Sequence, residues 1–212
     1  MSITNYTELQ AAVSNWMARG DIGGEATDFI RLGEAALNRE LKPVETEAAL
    51  VAVPTSREID VSSLNMVEPV ALLLTSYGDE RPIPPLANGT FPFRAEAGEP
   101  GVWTTDGDLL VLDRPADKAY TFRFRHMARF ALSAQQPTNW LLTNHPDAYL
   151  AATLVWGGVF IEDDRKAVRW KALLDEALPR IRSELKRRKP ARLRIDPALA
   201  AIGTYHHGGH RS

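Results

Sequence analysis

The sequence predicts an α+β chain. A helical bundle, with two N-terminal and two to three C-terminal helices, carries an inserted small β-barrel or sandwich module of about six strands and ends in an extended C-terminal tail. Three observations predict this. Apolar residues recur at helical spacing in residues 5–41 and again after Pro137. Between Val44 and Met127 that spacing gives way to short apolar runs divided by Pro and Gly. After Pro190 neither pattern is present. The expected division is a helical domain over 1–43 and 129–189, a β module over 44–128, and a C-terminal extension over 190–212.

The first helix is expected over residues 5–19. Asn5 followed by Glu8 is close to a capping box, in which side chains satisfy free backbone N–H groups at a helix start. Leu9, Ala12, Val13 and Trp16 then fall on one face. Gly20, Gly23 and Gly24 break the pattern. The second helix is expected from about Ala26 to Leu41, with a stripe of Phe29, Ile30, Gly33, Ala36, Leu37 and Leu41, and Pro43 stops it.

Strands are expected at "ALVAV", "REIDV" and "VALLLTSY", the last ending before Gly78-Asp79 and "RPIPPL". "VWTTDGDLLVL" reads as a hairpin, with Asp106-Gly107 supplying positive φ angles for a two-residue turn. "AYTFRFRHM" alternates Tyr120, Phe122 and Phe124 with Thr121, Arg123 and Arg125, the period of a half-buried strand. "TNWLLT" reads as one short helical turn. A helix then runs from Pro146 to about Ile161, and a longer one from Asp164 to about Arg188. The stripe of the longer helix is Ala167, Trp170, Leu174, Ala177, Leu178, Ile181 and Leu185. Pro179 inside it removes one backbone hydrogen bond and is expected to kink it. The two N-terminal helices are expected to pack against the last two.

Composition narrows the function. Of 212 residues, 44% are hydrophobic and 25% charged, ordinary for a soluble globular protein. There is no cysteine, which excludes a disulfide framework, a thiolate metal site and a cysteine nucleophile. No apolar run approaches the roughly 18 residues that span a bilayer, and "MSITNYTELQ" lacks the pattern of a signal peptide. Formal net charge is -2, which argues against a general nucleic-acid coat. The charge is uneven, however. Between Arg180 and Arg194 there are eight Lys or Arg and one acid, Glu184.

Each candidate site has a plain structural alternative. In "NHPD", Pro146 suits the first position of a helix, His145 falls outside it at the cap, and Asp147 sits where the helix dipole favours an anion. Helix punctuation therefore explains all three without a catalytic His–Asp pair. "EDDR" (Glu162 to Arg165) has the oxygens of a carboxylate metal cluster, but Asp163 or Asp164 as a helix cap explains it equally. "HHGGH" (His206, His207, His210) has metal-binding imidazoles, yet lies in a glycine-rich terminus that reads as flexible tail. "KRRKPARLR" is the densest charge feature. Its readings are a solvated helix end, a contact to phosphate backbone, or a contact to an acidic protein surface. Gly157-Gly158 costs roughly 1 kcal/mol per glycine against alanine in a helix. Close approach of another helix, within the chain or from another subunit, would offset that cost, and Ala151 and Ala152 keep the same surface small. No phosphate-binding glycine loop, nucleophile elbow or metalloprotease helix is present. Catalytic, cofactor and metal residues are accordingly expected to be none.

Two stretches carry a resemblance. "YTELQAAVSNWMARGDI…DFIRLGEAALNREL" resembles the N-terminal helix pair of tailed-bacteriophage head-to-tail adaptor (connector) proteins of the short-tailed-phage type. "PTNWLLTNHPDAYLAATLVWGGVFIEDDRKAVRWKALLDEAL" resembles the C-terminal half of the same family more closely. The β module is similar only in layout. The resemblance implies a structural virion protein without enzymatic activity or cofactor. It implies a ring, usually of twelve copies, beneath the portal protein, extending the DNA channel and holding a tail or nozzle protein. Double-stranded DNA would pass without sequence-specific contact and no membrane would be involved. The protein would work at the head–tail junction of the virion, after assembly in the host cytoplasm. Within that picture Lys186, Arg187, Arg188, Lys189, Arg192, Arg194 and Tyr205 are the expected portal-binding residues. Trp140, Ala151, Gly157 and Gly158 are the expected packing residues between subunits. Two rivals remain at this level. One is a DNA-binding module using the basic helix end, and the other a hydrolase built on His145, Asp147 and the acids of "EDD".

Overall fold

A computed structural model describes residues 3–18, 24–76, 78–87 and 90–188. Five helices and seven strands follow in the order α1 (Tyr6–Met17), α2 (Glu25–Glu40), β1 (Val44–Val51), β2 (Glu58–Asp60), β3 (Met66–Leu74), β4 (Arg81–Ile83), β5 (Trp103–Asp106), β6 (Leu109–Leu112), β7 (Thr121–Ala128), α3 (Trp140–Asn144), α4 (Pro146–Phe160) and α5 (Asp164–Arg188).

α1 begins where Asn5 Oδ1 accepts from the Glu8 N–H at 2.9 Å. The return bond goes one residue further back than in a capping box, from Thr4 N–H to Glu8 Oε2 at 2.7 Å. Leu9, Ala12 and Val13 are buried as the spacing predicts, but the fourth position is Met17 rather than Trp16. Trp16 is 60% exposed. At 100° per residue, Met17 lies one turn above Val13 and two above Leu9, closer to the centre of the stripe. α5 buries Ala167, Leu174, Leu178 and Ile181 and half-buries Trp170, Ala177 and Leu185, matching its stripe. All of these except Ala167 share one core with buried side chains of α1, α2, α3 and α4.

The helices approach closely because small residues line α4. A Cβ on Gly33 of α2 would lie 3.1 Å from the backbone of Ala152 and Thr153. A Cβ on Gly158 would lie 2.8 Å from the Ala167 N, so α5 folds back against bare backbone. A Cβ on Gly157 would overlap the Met17 sulfur of α1. The approach that offsets the helix cost of this glycine pair is thus supplied within the chain.

The β residues form two antiparallel sheets around a second core, not a closed barrel. One sheet has the order β1-β7-β3-β4 and the other β2-β6-β5. β7 alternates as predicted, with Phe122, Phe124 and His126 inward and Arg123 and Arg125 outward. Trp103 joins the sheets, its Nε1–H donating to the Ile83 carbonyl at 2.8 Å. The β5–β6 turn differs by one residue from expectation. Asp106 pairs with Leu109, so the turn residues are Gly107 and Asp108. Only Gly107 takes a positive φ, at 57°, as a type II′ hairpin requires.

Candidate assembly surfaces

The polar phrase before α4 is helix punctuation. Asn139 caps α3, its Oδ1 accepting from the Leu142 N–H at 2.9 Å. Pro146 occupies the first turn of α4 and His145 the cap. His145 does not turn towards Asp147. Its Nε2 lies 3.0 Å from Glu184 Oε2 on α5, and its ring meets Trp140 edge-on at 5.4 Å. The acids of "EDD" sit beyond the other end of α4, whose 15 residues span about 22 Å. The residues of the hydrolase reading are therefore not brought together. Asp163 caps α5, accepting from the Lys166 N–H at 3.1 Å, and this bond lowers its pKa. Among the described residues no group of three or more His, Asp or Glu is placed to hold a metal ion.

A buried polar network lies behind this phrase. The Tyr149 hydroxyl of α4 donates to the Glu34 carboxylate of α2. Asn139 Nδ2 donates to the same hydroxyl and to the Ala131 carbonyl, each at 3.2 Å. Burial pushes the Glu34 pKa up to about 7, against the lowering effect of the Tyr149 hydrogen bond. The Tyr149 phenol is also shifted up, by burial and by the Glu34 charge. Glu34 was legible as a residue beside the α2 stripe but not as a buried one, because nothing near it in sequence names its partner 115 positions away.

The basic end of α5 is divided in its commitments. Arg182 is held to α2, its Nε–H donating to the Glu40 carbonyl at 3.2 Å and its Nη2 paired with the Glu40 carboxylate. Lys186 and Arg187 are exposed, and Arg187 makes one bond to Ser183 Oγ at 3.3 Å. The Arg188 side chain, Lys189, Arg192, Arg194, Tyr205 and the three tail histidines lie outside the described residues.

The expected inter-subunit residues face inward. Ala151 is 3% exposed, and Gly157 and Gly158 are buried against α1 and α5. Trp140 is half-buried and packs against the helical core beside Phe130. The apolar side chains left outside are different ones. Trp16, Phe160 and Val168 are 60%, 53% and 68% exposed. Trp16 rests edge-on against Trp170 at 5.3 Å, and Phe160 against Phe29 at 5.2 Å. Since Met17 meets Gly157 and Ala167 meets Gly158, all three lie near the end of the bundle where α1 and α4 finish and α5 begins. A periodicity argument misses such exposed residues because it looks for one apolar face per helix.

A family model for the SU10 adaptor protein matches residues 4–196. The chain belongs to the SU10 adaptor family. It is a bacteriophage structural adaptor, and the family is not an enzyme family. No curated protein matches the chain. An adaptor of this family resides in the virion and meets other phage structural proteins, such as portal and tail. The match spans both the helical frame and the two sheets, so it covers the β module that resembled the family only in layout.

Proposed function

We propose that this adaptor forms a ring of twelve copies beneath the portal that extends the DNA channel and presents a platform for tail proteins. The observation that supports the reading is the family match across residues 4–196, on a chain whose helical frame leaves Trp16, Phe160, Val168, Lys186 and Arg187 exposed. In this reading Lys186, Arg187 and the basic residues through Arg194 contact the portal, with Tyr205 further along the tail. Trp16, Phe160 and Val168 are the contact between neighbouring subunits, in place of Ala151, Gly157 and Gly158. Large apolar side chains left in water are the ones a neighbouring subunit would gain most by covering.

The test is a chain ending at Lys189. It should keep the helical and β structure but fail to bind the portal. Normal docking by the shortened chain would overturn the tail assignment. Binding of the intact chain to DNA alone, falling steeply with salt, would support the DNA-binding rival instead.

A further inference from the structure

Three guanidinium groups of the β module share a single carboxylate. Asp113, just after β6, is buried. Its Oδ1 accepts from the Gly101 N–H at 2.8 Å and the Val102 N–H at 3.4 Å, so that oxygen is committed to backbone. Its Oδ2 faces Arg114 Nε at 3.5 Å and Arg94 Nε at 3.7 Å. Both separations are long beside the roughly 2.7–2.9 Å of a good charged hydrogen bond. Arg57, just before β2, completes the group. Its Nη2–H donates to the Arg94 carbonyl at 2.9 Å, and its guanidinium carbon lies 5.3 Å from the centre of the Phe93 ring. Its Nε is buried without a hydrogen-bond partner among the described residues.

The backbone holds these residues together. The Leu112 N–H donates to the Arg57 carbonyl and the Arg94 N–H to the Asp113 carbonyl, each at 2.8 Å. Arg114 is largely buried, and it lies against Gly98, where an added Cβ would come within 3.1 Å of its Nη1. Three positive charges thus meet one negative charge. Asp117 is spent on the Tyr120 hydroxyl at 2.7 Å, and Glu99 on Arg81. Glu58 and Glu96 are exposed, and among the described residues neither pairs with the three arginines. The chain as a whole carries net charge -2, so this positive surplus is local. Like charges held this close repel, and an anion brought from outside would relieve them.

We propose that Arg57, Arg94 and Arg114, with Phe93, dock an acidic segment of a partner protein. Carboxylates would meet the guanidinium forks, whose planar donors match them two at a time. An apolar side chain of the same segment would cover Phe93. That ring is 63% exposed, and it is steadied edge-on by Phe91 at 5.2 Å and by the Arg57 guanidinium. Arginine beside a large aromatic is the composition enriched where proteins meet. A DNA backbone would use the arginines but leave Phe93 in water, and duplex affinity is built from many phosphate contacts rather than three. None of these residues is given to the portal or to the neighbouring subunit, so the inference goes beyond the ring reading and does not depend on it.

The test uses the full chain and a fluorescein-labelled peptide of three Glu-Glu-Leu repeats, read by anisotropy. A Gln-Gln-Leu peptide is the uncharged control and a short DNA duplex the phosphate control. Wild type should bind the acidic peptide, more weakly as salt is raised, and should bind the uncharged one at least about tenfold less tightly. Arg94 is 59% exposed, so Arg94→Glu should leave the thermal midpoint unchanged while weakening the acidic peptide about tenfold or more. Phe93→Ser should weaken it in the same direction without touching a charge. No binding by wild type, or equal binding by wild type and both variants, would overturn the proposal. So would tighter binding of the duplex than of the peptide, lost in Arg94→Glu, which would assign the arginines to phosphate. Neither portal nor ring is needed for the measurement, so its failure would leave the ring reading standing.

Discussion

Glu34 sits where α2 and α4 cross, 7% exposed, with its carboxylate accepting from Tyr149. Its folded-state pKa, about 7, is above the ordinary value near 4.5. The folded chain therefore holds the proton more tightly than the unfolded chain. The stabilisation is complete below pH 4.5 and is lost as pH rises towards 7, by about 3 kcal/mol in all. Urea unfolding at pH 5 and pH 8 should show the adaptor less stable at pH 8. Glu34→Gln should remove most of that difference, while equal slopes in both proteins would refute the assignment. The glycine pair of α4 gives a second comparison. Gly158→Ala places a methyl against the Ala167 backbone, which cannot yield without moving α5. A loss of about 1–3 kcal/mol is expected. Gly157→Ala meets the thioether of Met17, a flexible chain end, and gains about 1 kcal/mol of helix propensity. Thermal unfolding should therefore separate the two, with Gly158→Ala clearly lower. At this scale the sequence was a partial guide. It showed that the glycines needed a close neighbour, but Trp16 and Met17 are adjacent and apolar, and periodicity alone did not decide which of them faces in.

Among the elements, α5 carries the greatest share of legible signal. Its stripe and its start at Asp164 follow from spacing and capping chemistry. Ile181 is fully buried in the helical core, whereas Val168 is 68% exposed on the same helix. Ile181→Ala should cost about 2–5 kcal/mol. Val168→Ser should change stability by less than about 0.5 kcal/mol, a contrast that denaturant midpoints would resolve. The strands were less legible. β1 starts five residues before "ALVAV", because Glu45 and Glu47 alternate with Val44 and Thr46 on a strand buried deeply only at Leu50. β4 was not anticipated. It is three residues long and contains Pro82, which suits an edge position but is a poor strand signal. The sheets were foreseen as a barrel or sandwich. The pairing order, which strand ends meet and which do not, depends on contacts remote in sequence and settled it as two open sheets.

For the whole molecule, two cores divide the labour. The helical core joins the two ends of the chain, while the β core is built from the middle. The helical core places Trp16, Phe160 and Val168 at one end of the bundle and leaves Lys186 and Arg187 at the tip of α5. In the proposed reading, assembly and portal contact belong to different parts of the chain. Trp16→Ser with Phe160→Ser should weaken self-association, read by sedimentation, without lowering thermal stability by more than a few degrees. Loss of portal binding with self-association intact is expected instead from removing residues 190–212. The polar phrase "TNWLLTNHPDAYL" acts as a joint at this scale. It joins α3 to α4, and through His145 and Glu184 it fastens that joint to α5. The most direct test of the account is electron microscopy of the adaptor mixed with its portal. A ring of adaptor density, coaxial with the portal and continuing its channel, is the predicted result. Portal particles without added density, beside an adaptor that stays monomeric, would contradict it.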